Sequence, residues 1–224
     1  MSTRPIVCYV TDRKVAVSAD PTAGVLASIR AAVSAGVDWV QIREKDLPAR
    51  QLLALVQGAL SIARGEPPPR NVCVIVNDRL DVAVAAGADG VHLGGESIPA
   101  ADAVRWCRSG HAPSEFLIGV SCHSIEQARA AETAGANYIF FGPVFDTPAK
   151  RVFGAPQGIA KLGEACRAVR IPVIAIGGVN AENGEECIRT GAGGIAAIRL
   201  FQEARDSAAL RNVVERLHSS GRQG

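Results

Sequence analysis

The residues best suited to chemistry in this chain stand at the ends of short apolar runs. In Val40-Gln41-Ile42-Arg43-Glu44-Lys45 the alternation has period two, which gives a strand with one apolar face and Gln41, Arg43 and Lys45 on the other. If both faces are covered, two cations and an amide call for an anionic ligand. Phosphate or diphosphate fits, since Arg grips oxygens with a planar fork and Lys adds a point charge. On a half-exposed strand the same residues would simply meet water. Asn77-Asp78 pairs an amide with a hard carboxylate, which suits Mg²⁺ shared with phosphate oxygens, although Asp78 would serve equally as a helix N-cap. Ser121 and His123 close another run, and His123 can give or take a proton near neutral pH. Gly177-Gly178 in IAIGGVN can aim backbone N–H groups at a phosphate or can form an ordinary tight turn. Thr147 and Lys150 follow a sixth run, and Ile198-Arg199 close an eighth. His92 lies inside an apolar run and reads as packed and hydrogen-bonded, whereas His111 and His218 read as surface residues.

Positioning these groups requires a regular frame, and the sequence carries one. SAGVDWVQI, AAGADGVHL, TAGANYIFF and RTGAGGIAA echo one another, with central glycines Gly36, Gly87, Gly135 and Gly191. Each follows an Ala-rich helical segment and precedes an apolar run, the setting of a glycine at a left-handed helix C-cap. The spacing suits two βα units per echo, so four echoes imply eight strands. Strands are expected in IVCYVTD, WVQIREK, VCVIVND, GVHLG, FLIGVSC, YIFFGPVF, PVIAIGG and GIAAIRLF, with helices between them. Near-continuous apolar strands alternating with helices call for parallel pairing and right-handed crossovers. The fold expected is therefore a single α/β domain over residues 1–224, a (β/α)8 barrel, with its motif-bearing core at about residues 5–202 and a frayed tail at 218–224. An open doubly wound sheet is the alternative, but no G-x-G-x-x-G follows the first run. EPPPR at 66–70 reads as a stiff loop on the opposite face.

Composition narrows the partners. The formal net charge is +2 and aromatic residues make up only 4% of the chain, so neither nucleic acid nor a membrane is called for. Six cysteines form no CxxC pair and read as reduced core residues of a cytoplasmic protein. No apolar run reaches the roughly 18 residues of a spanning helix. The expected partners are small phosphorylated molecules, and the sequence is compatible with a homo-oligomer.

VQIREK, VNDR followed by VHLGGESIP, GVSCHS, FGPVFDTPAK and PVIAIGG, in that order, resemble the thiamine phosphate synthase family and its sister group, the thiazole tautomerases. The resemblance implies a (β/α)8 barrel. It also implies a transferase that joins hydroxymethylpyrimidine diphosphate to hydroxyethylthiazole phosphate and releases pyrophosphate, with Mg²⁺ as cofactor. Carried over by motif, Gln41, Arg43, Lys45 and Asn77 would hold the pyrimidine diphosphate, and Asp78 would hold Mg²⁺. Ser121 would contact the pyrimidine. Thr147 and Lys150 would meet the thiazole phosphate or the departing pyrophosphate, and Gly177, Gly178, Ile198 and Arg199 would cradle the thiazole phosphate. Arg43, Lys45, Lys150, Ser121 and His123 would be the catalytic set.

The chain departs from the family pattern at three places. Gly95-Glu96-Ser97 stands where the synthases carry GQ-x-D, which puts Ser97 at the position of a second Mg²⁺ ligand. Ala149 replaces a hydroxyl residue, and Arg199 stands where a serine is usual. These departures keep two alternatives open: a thiazole tautomerase working through His123, and a non-catalytic barrel that binds thiazole or thiamine phosphate.

Overall fold

The computed structural model describes residues 4–15, 20–65, 72–146, 155–204 and 206–222. Eight strands, β1 (Ile6–Val10), β2 (Trp39–Ile42), β3 (Cys73–Asn77), β4 (Gly90–Leu93), β5 (Leu117–Cys122), β6 (Tyr138–Phe141), β7 (Val173–Ile176) and β8 (Gly194–Ala197), pair in parallel and in chain order. The barrel closes where Ile6 of β1 registers with Gly194 of β8. The helices are α1 (Pro21–Ala35), α2 (Ala49–Arg64), α3 (Leu80–Ala86), α4 (Ala100–Trp106), α5 (Ile125–Thr133), α6 (Gly158–Ala168), α7 (Gly184–Arg189), α8 (Arg199–Gln202) and α9 (Ser207–Ser219). None of the described helices is long and apolar enough to cross a membrane.

The echo seen in the sequence is a repeated joint. Gly36, Gly87, Gly135 and Gly191 all have positive φ and turn the chain from a helix into an even-numbered strand. Two residues later, the backbone N–H of Asp38, Asp89, Asn137 and Gly193 donates to Val7, Val74, Ile118 and Val173 of the preceding strand. In the first three joints the side chain answers. Asp38 accepts from Val7 N at 2.8 Å, Asp89 from Val74 N at 2.7 Å and Asn137 from Ile118 N at 2.7 Å. Each short side chain thus satisfies a backbone donor at the base of the barrel, where a strand begins and its ladder is incomplete.

Period two divides the strand residues between two cores. Val7, Tyr9, Val40, Ile42, Ile139 and Phe141 pack outward with the helices. Cys8, Val10, Ile75, Tyr138, Phe140, Ile174 and Ala196 form a separate cluster that fills the interior. The barrel is therefore solid below its C-terminal rim, and ligands can meet only the upper layer and the loops above it. All six cysteines are free.

Three expectations change. The eighth strand stops at Ala197, and Arg199 opens α8 instead of ending the strand, because Ile198 leaves extended geometry at φ −101°, ψ −66°. The tail is not frayed through residue 222: α9 runs to Ser219 and a 3₁₀ turn covers Ser220–Arg222. His218 is buried rather than superficial, with Nε2 2.8 Å from Asp38 Oδ2. The EPPPR segment lies outside the described residues.

Candidate functional site

At the C-terminal end of the barrel interior the apolar filling gives way to a polar layer. Gln41 of β2 is 1% exposed and its Nε2 donates to Asn77 Oδ1 at 3.1 Å. Gln41 Oε1 is buried and has no partner among the described residues, which leaves an acceptor facing the same layer. Asn77 registers with His92 of β4. His92 is buried, its Nε2 lies 2.9 Å from Ser121 Oγ of β5, and its ring stacks on Phe140 with centroids 4.2 Å apart. Gln41, Asn77 and Ser121 are thus brought together through strands β2 to β5, and His92 is packed and hydrogen-bonded.

Above this layer the β1 and β2 loops are tied by a group the sequence reading passed over. Glu44 occupies the face read as apolar and is 5% exposed. Its carboxylate accepts from Thr11 Oγ1 at 2.7 Å and from the Arg13 backbone N at 3.1 and 3.0 Å. Thr11 Oγ1 in turn accepts from the Arg43 backbone N at 3.0 Å. Arg13 continues the network outward to Asp46, and that hydrogen bond holds the Asp46 carboxyl far below its ordinary range. The signal for this was present, since an acid on an otherwise buried face needs built-in donors. Arg43 and Lys45 lie beyond the end of β2, one half-buried and one exposed, and neither forms an ion pair among the described residues. The loop that carries them is therefore pinned while their charges stay available.

Asp78 is exposed and has φ +68°, the one non-glycine positive φ among the described residues. It is not the α3 N-cap: Arg79 holds that position and makes no side-chain cap. The Asp78 backbone N donates to His92 O at 2.8 Å, while its carboxylate makes no hydrogen bond or ion pair among the described residues and its charge is felt by the neighbouring Arg79. A positive φ is uncommon at non-glycine residues, and Asp is among those that adopt it most readily. Ser97 Oγ accepts from Gly94 N at 2.7 Å, a hydrogen bond within its own loop. No group of three or more His, Cys, Asp or Glu that could hold a metal occurs among the described residues.

On the other side of the rim, His123 is exposed, and its Nδ1 makes a very short hydrogen bond with Gly142 O. A carbonyl can only accept, so Nδ1 carries the proton and Nε2 is an acceptor in the neutral ring. Beside it, burial pushes the Cys122 thiol up to about 12, so it is no nucleophile near neutral pH. Gly177 and Gly178 have φ +92° and +69°, and a Cβ on Gly177 would lie 2.5 Å from Pro143 Cβ. Their carbonyls are engaged, Gly177 O by Phe145 N and Gly178 O by Asn183 Nδ2, whereas their N–H groups have no acceptor among the described residues. Ile198 precedes α8, where Arg199 contributes its backbone; its side chain turns away to Glu203 at 3.6 Å. Thr147 and Lys150 lie outside the described residues, as does Ala149. A hollow of about 480 Å³ between α7 and α9 is lined by none of these residues, and its Arg189 and Arg216 already pair with Glu185.

A family profile described as thiamine monophosphate synthase matches residues 7–201. A thiamine-phosphate synthase from Roseiflexus sp. (strain RS-1) is 42% identical over 204 residues, covering 91% of this chain and 81% of the relative. One from Methanocella arvoryzae is 41% identical over 198 residues, covering 87% and 89%. Among solved structures, a thiamine phosphate pyrophosphorylase from Pyrococcus furiosus superposes with a TM-score of 0.82 at 30% identity, covering 100% of this chain and 99% of that one. With the closed barrel and its polar rim, these likenesses place the chain in the thiamine monophosphate synthase family.

Proposed function

We propose that this chain is a thiamine phosphate synthase: a transferase that joins hydroxymethylpyrimidine diphosphate to hydroxyethylthiazole phosphate and releases pyrophosphate. The observation that carries the reading is the rim of β2 and β3. There an amide pair, the buried Gln41 and the half-buried Asn77, lies at the strand ends that lead to two cations, Arg43 and Lys45, that no described carboxylate neutralises. Such a site receives a flat polar ring below and a diphosphate above. As the pyrophosphate departs it gathers charge, so cations carried on a loop already pinned by the Thr11–Glu44 network would stabilise the transition state more than the ground state. Gly177 and Gly178 offer N–H groups to the phosphate of the second substrate. Thr147 and Lys150 belong to this proposal through the motif alone.

The donor set fits Mg²⁺ in one form. Asp78 supplies a hard carboxylate free of local bonds, Asn77 stands beside it, and Mg²⁺ accepts one or two carboxylates when phosphate oxygens complete its shell. Ser97 does not fit well, because its oxygen already serves Gly94 N. When bound, the ion would neutralise the diphosphate and ease its departure. We place the protein in the cytoplasm, in keeping with six free cysteines.

A second reading, the thiazole tautomerase, has its own observation: the Gly142 carbonyl fixes the His123 tautomer with Nε2 able to take a proton. One assay separates the two. Purified enzyme with both substrates should form thiamine phosphate in a Mg²⁺-dependent manner, and His123→Gln should cost only a modest factor. If no thiamine phosphate forms and thiazole isomerisation falls by about 10²- to 10⁴-fold in His123→Gln, the tautomerase replaces the synthase.

A further inference from the structure

The chemistry of Ser121 depends on which way its hydroxyl proton points, and the groups beneath it decide that. Tyr138 of β6 is 1% exposed and lies against Trp39 and Phe140 in the barrel interior. It reaches across β5 because residue 119 is glycine: a Cβ there would fall 2.1 Å from Tyr138 Cζ and 2.4 Å from its hydroxyl oxygen. That slot brings the phenol oxygen to 3.2 Å from His92 Nδ1. Burial pushes the phenol pKa well above its ordinary value, so the group keeps its proton and must donate it. Among the described residues, His92 Nδ1 is the one acceptor bonded to it. Were Nδ1 protonated, the phenol proton would be buried with no acceptor, an arrangement that folded proteins avoid. The lone pair is therefore on Nδ1 and the proton on Nε2, which donates to Ser121 Oγ at 2.9 Å. Since Nε2 already carries a proton, Ser121 cannot give its own to His92. Its O–H is left to point into the mouth of the barrel.

We propose that Tyr138 and His92 are positioning residues that fix the polarity of the Ser121 hydroxyl, so that it donates a hydrogen bond to a lone pair on the pyrimidine substrate. The proposal rests on the synthase reading for the identity of that ligand, but the direction of the chain Tyr138→His92→Ser121 is a property of the free protein. A site of this polarity favours a ring that presents a nitrogen lone pair to β5 over an analogue that presents N–H or C–H there, because turning the hydroxyl proton back toward His92 would require the other ring tautomer and would leave the buried Tyr138 phenol proton without an acceptor.

The test has an arm that needs no turnover. In ¹⁵N-histidine-labelled free enzyme, the His92 signals, assigned by their disappearance in His92→Asn, should report a neutral ring protonated at Nε2 and bare at Nδ1. An Nδ1–H tautomer or an imidazolium would overturn the proposal even if the enzyme is a good synthase. The second arm is a double-mutant cycle on turnover. Tyr138→Phe keeps the ring that fills the Gly119 slot but removes the donor to Nδ1, so His92 loses its fixed tautomer. KM for the pyrimidine diphosphate should rise about tenfold, the worth of one well-made hydrogen bond, while KM for the thiazole phosphate holds. In a Ser121→Ala background the same Tyr138→Phe change should have no further effect. Additive losses, or equal changes in both KM values, would mean that Tyr138 only supports the barrel. If the wild type makes no thiamine phosphate while the Nε2–H tautomer is found, the synthase reading fails and the pyrimidine ligand fails with it, but the hydrogen-bond direction stands.

Discussion

At the scale of single residues the sequence reported chemical type well and orientation poorly. Gln41 faces inward as its period-two position requires, yet Glu44, four residues from Val40 on the face read as apolar, proved to be the buried anchor of the β1–β2 loops. Burial of an acid depends on donors supplied by Thr11 and Arg13, 33 and 31 residues away in the chain, so no local pattern could show it. Arg43 is the first test. Its guanidinium makes no ion pair among the described residues, so Arg43→Ala should leave the unfolding free energy within about 0.5 kcal/mol of wild type. Turnover should fall by about 10²-fold or more if the cation meets charge that develops on the leaving group. An unchanged kcat in steady-state assays would remove Arg43 from the mechanism. Asp78 needs a subtler substitution, because alanine would strain a backbone at φ +68° as well as remove the carboxylate. Asn tolerates that conformation, so Asp78→Asn isolates the charge. Half-saturating Mg²⁺ should rise by at least about tenfold if Asp78 is the carboxylate of the metal site. A variant with wild-type Mg²⁺ dependence would place the ion elsewhere.

Elements were more legible than residues, because their signals repeat. Strand number, order and the left-handed joints follow from the four glycine echoes, and the hydrogen bonds of Asp38, Asp89 and Asn137 explain why three of those echoes carry Asp or Asn two residues after the glycine. Strand ends were less legible. IAAIRLF reads as one apolar run, but a four-residue helix and a strand end have indistinguishable periodicity at this length, and α8 begins inside it. The IGG turn after β7 shows how an element end becomes specific. Phe145 N and Asn183 Nδ2 hold its two carbonyls, and Pro143 closes over Gly177. Gly177→Ala places a Cβ 2.5 Å from Pro143 Cβ at φ +92°. It should cost about 1–3 kcal/mol in urea unfolding, since a non-glycine residue in that region is strained. It should also raise KM for the thiazole phosphate more than KM for the pyrimidine diphosphate. A uniform rise in both would argue that the turn only supports the barrel and does not cradle a phosphate.

For the whole molecule, closure depends on contacts between distant parts of the chain, and this is where the sequence was least informative. HSSGRQG reads as a polar tail, yet Leu210, Val214, Leu217 and His218 form the buried stripe of α9, and His218 reaches Asp38, 180 residues earlier. Asp38 thereby joins β1, the α1–β2 joint and the last helix. It accepts from Val7 N and His218 Nε2, and Arg4 pairs with its other oxygen. Burial alone would raise the Asp38 pKa. The His218 hydrogen bond, the Val7 N–H and Arg4 outweigh burial and hold it below the ordinary 3.8. A carboxyl that ionises more readily folded than unfolded contributes stability that is whole above about pH 3.8 and disappears as the pH falls through the depressed folded value. Acidification from pH 6 to pH 3 should therefore destabilise wild type more than Asp38→Asn, which has no such charge to lose. At pH 6 the variant should already be weaker by about 1–3 kcal/mol, because an amide cannot replace a carboxylate toward Arg4 and His218. Urea unfolding of both proteins at the two pH values measures each quantity, and equal acid sensitivity would show that the latch between the two ends of the chain does not hold the barrel closed.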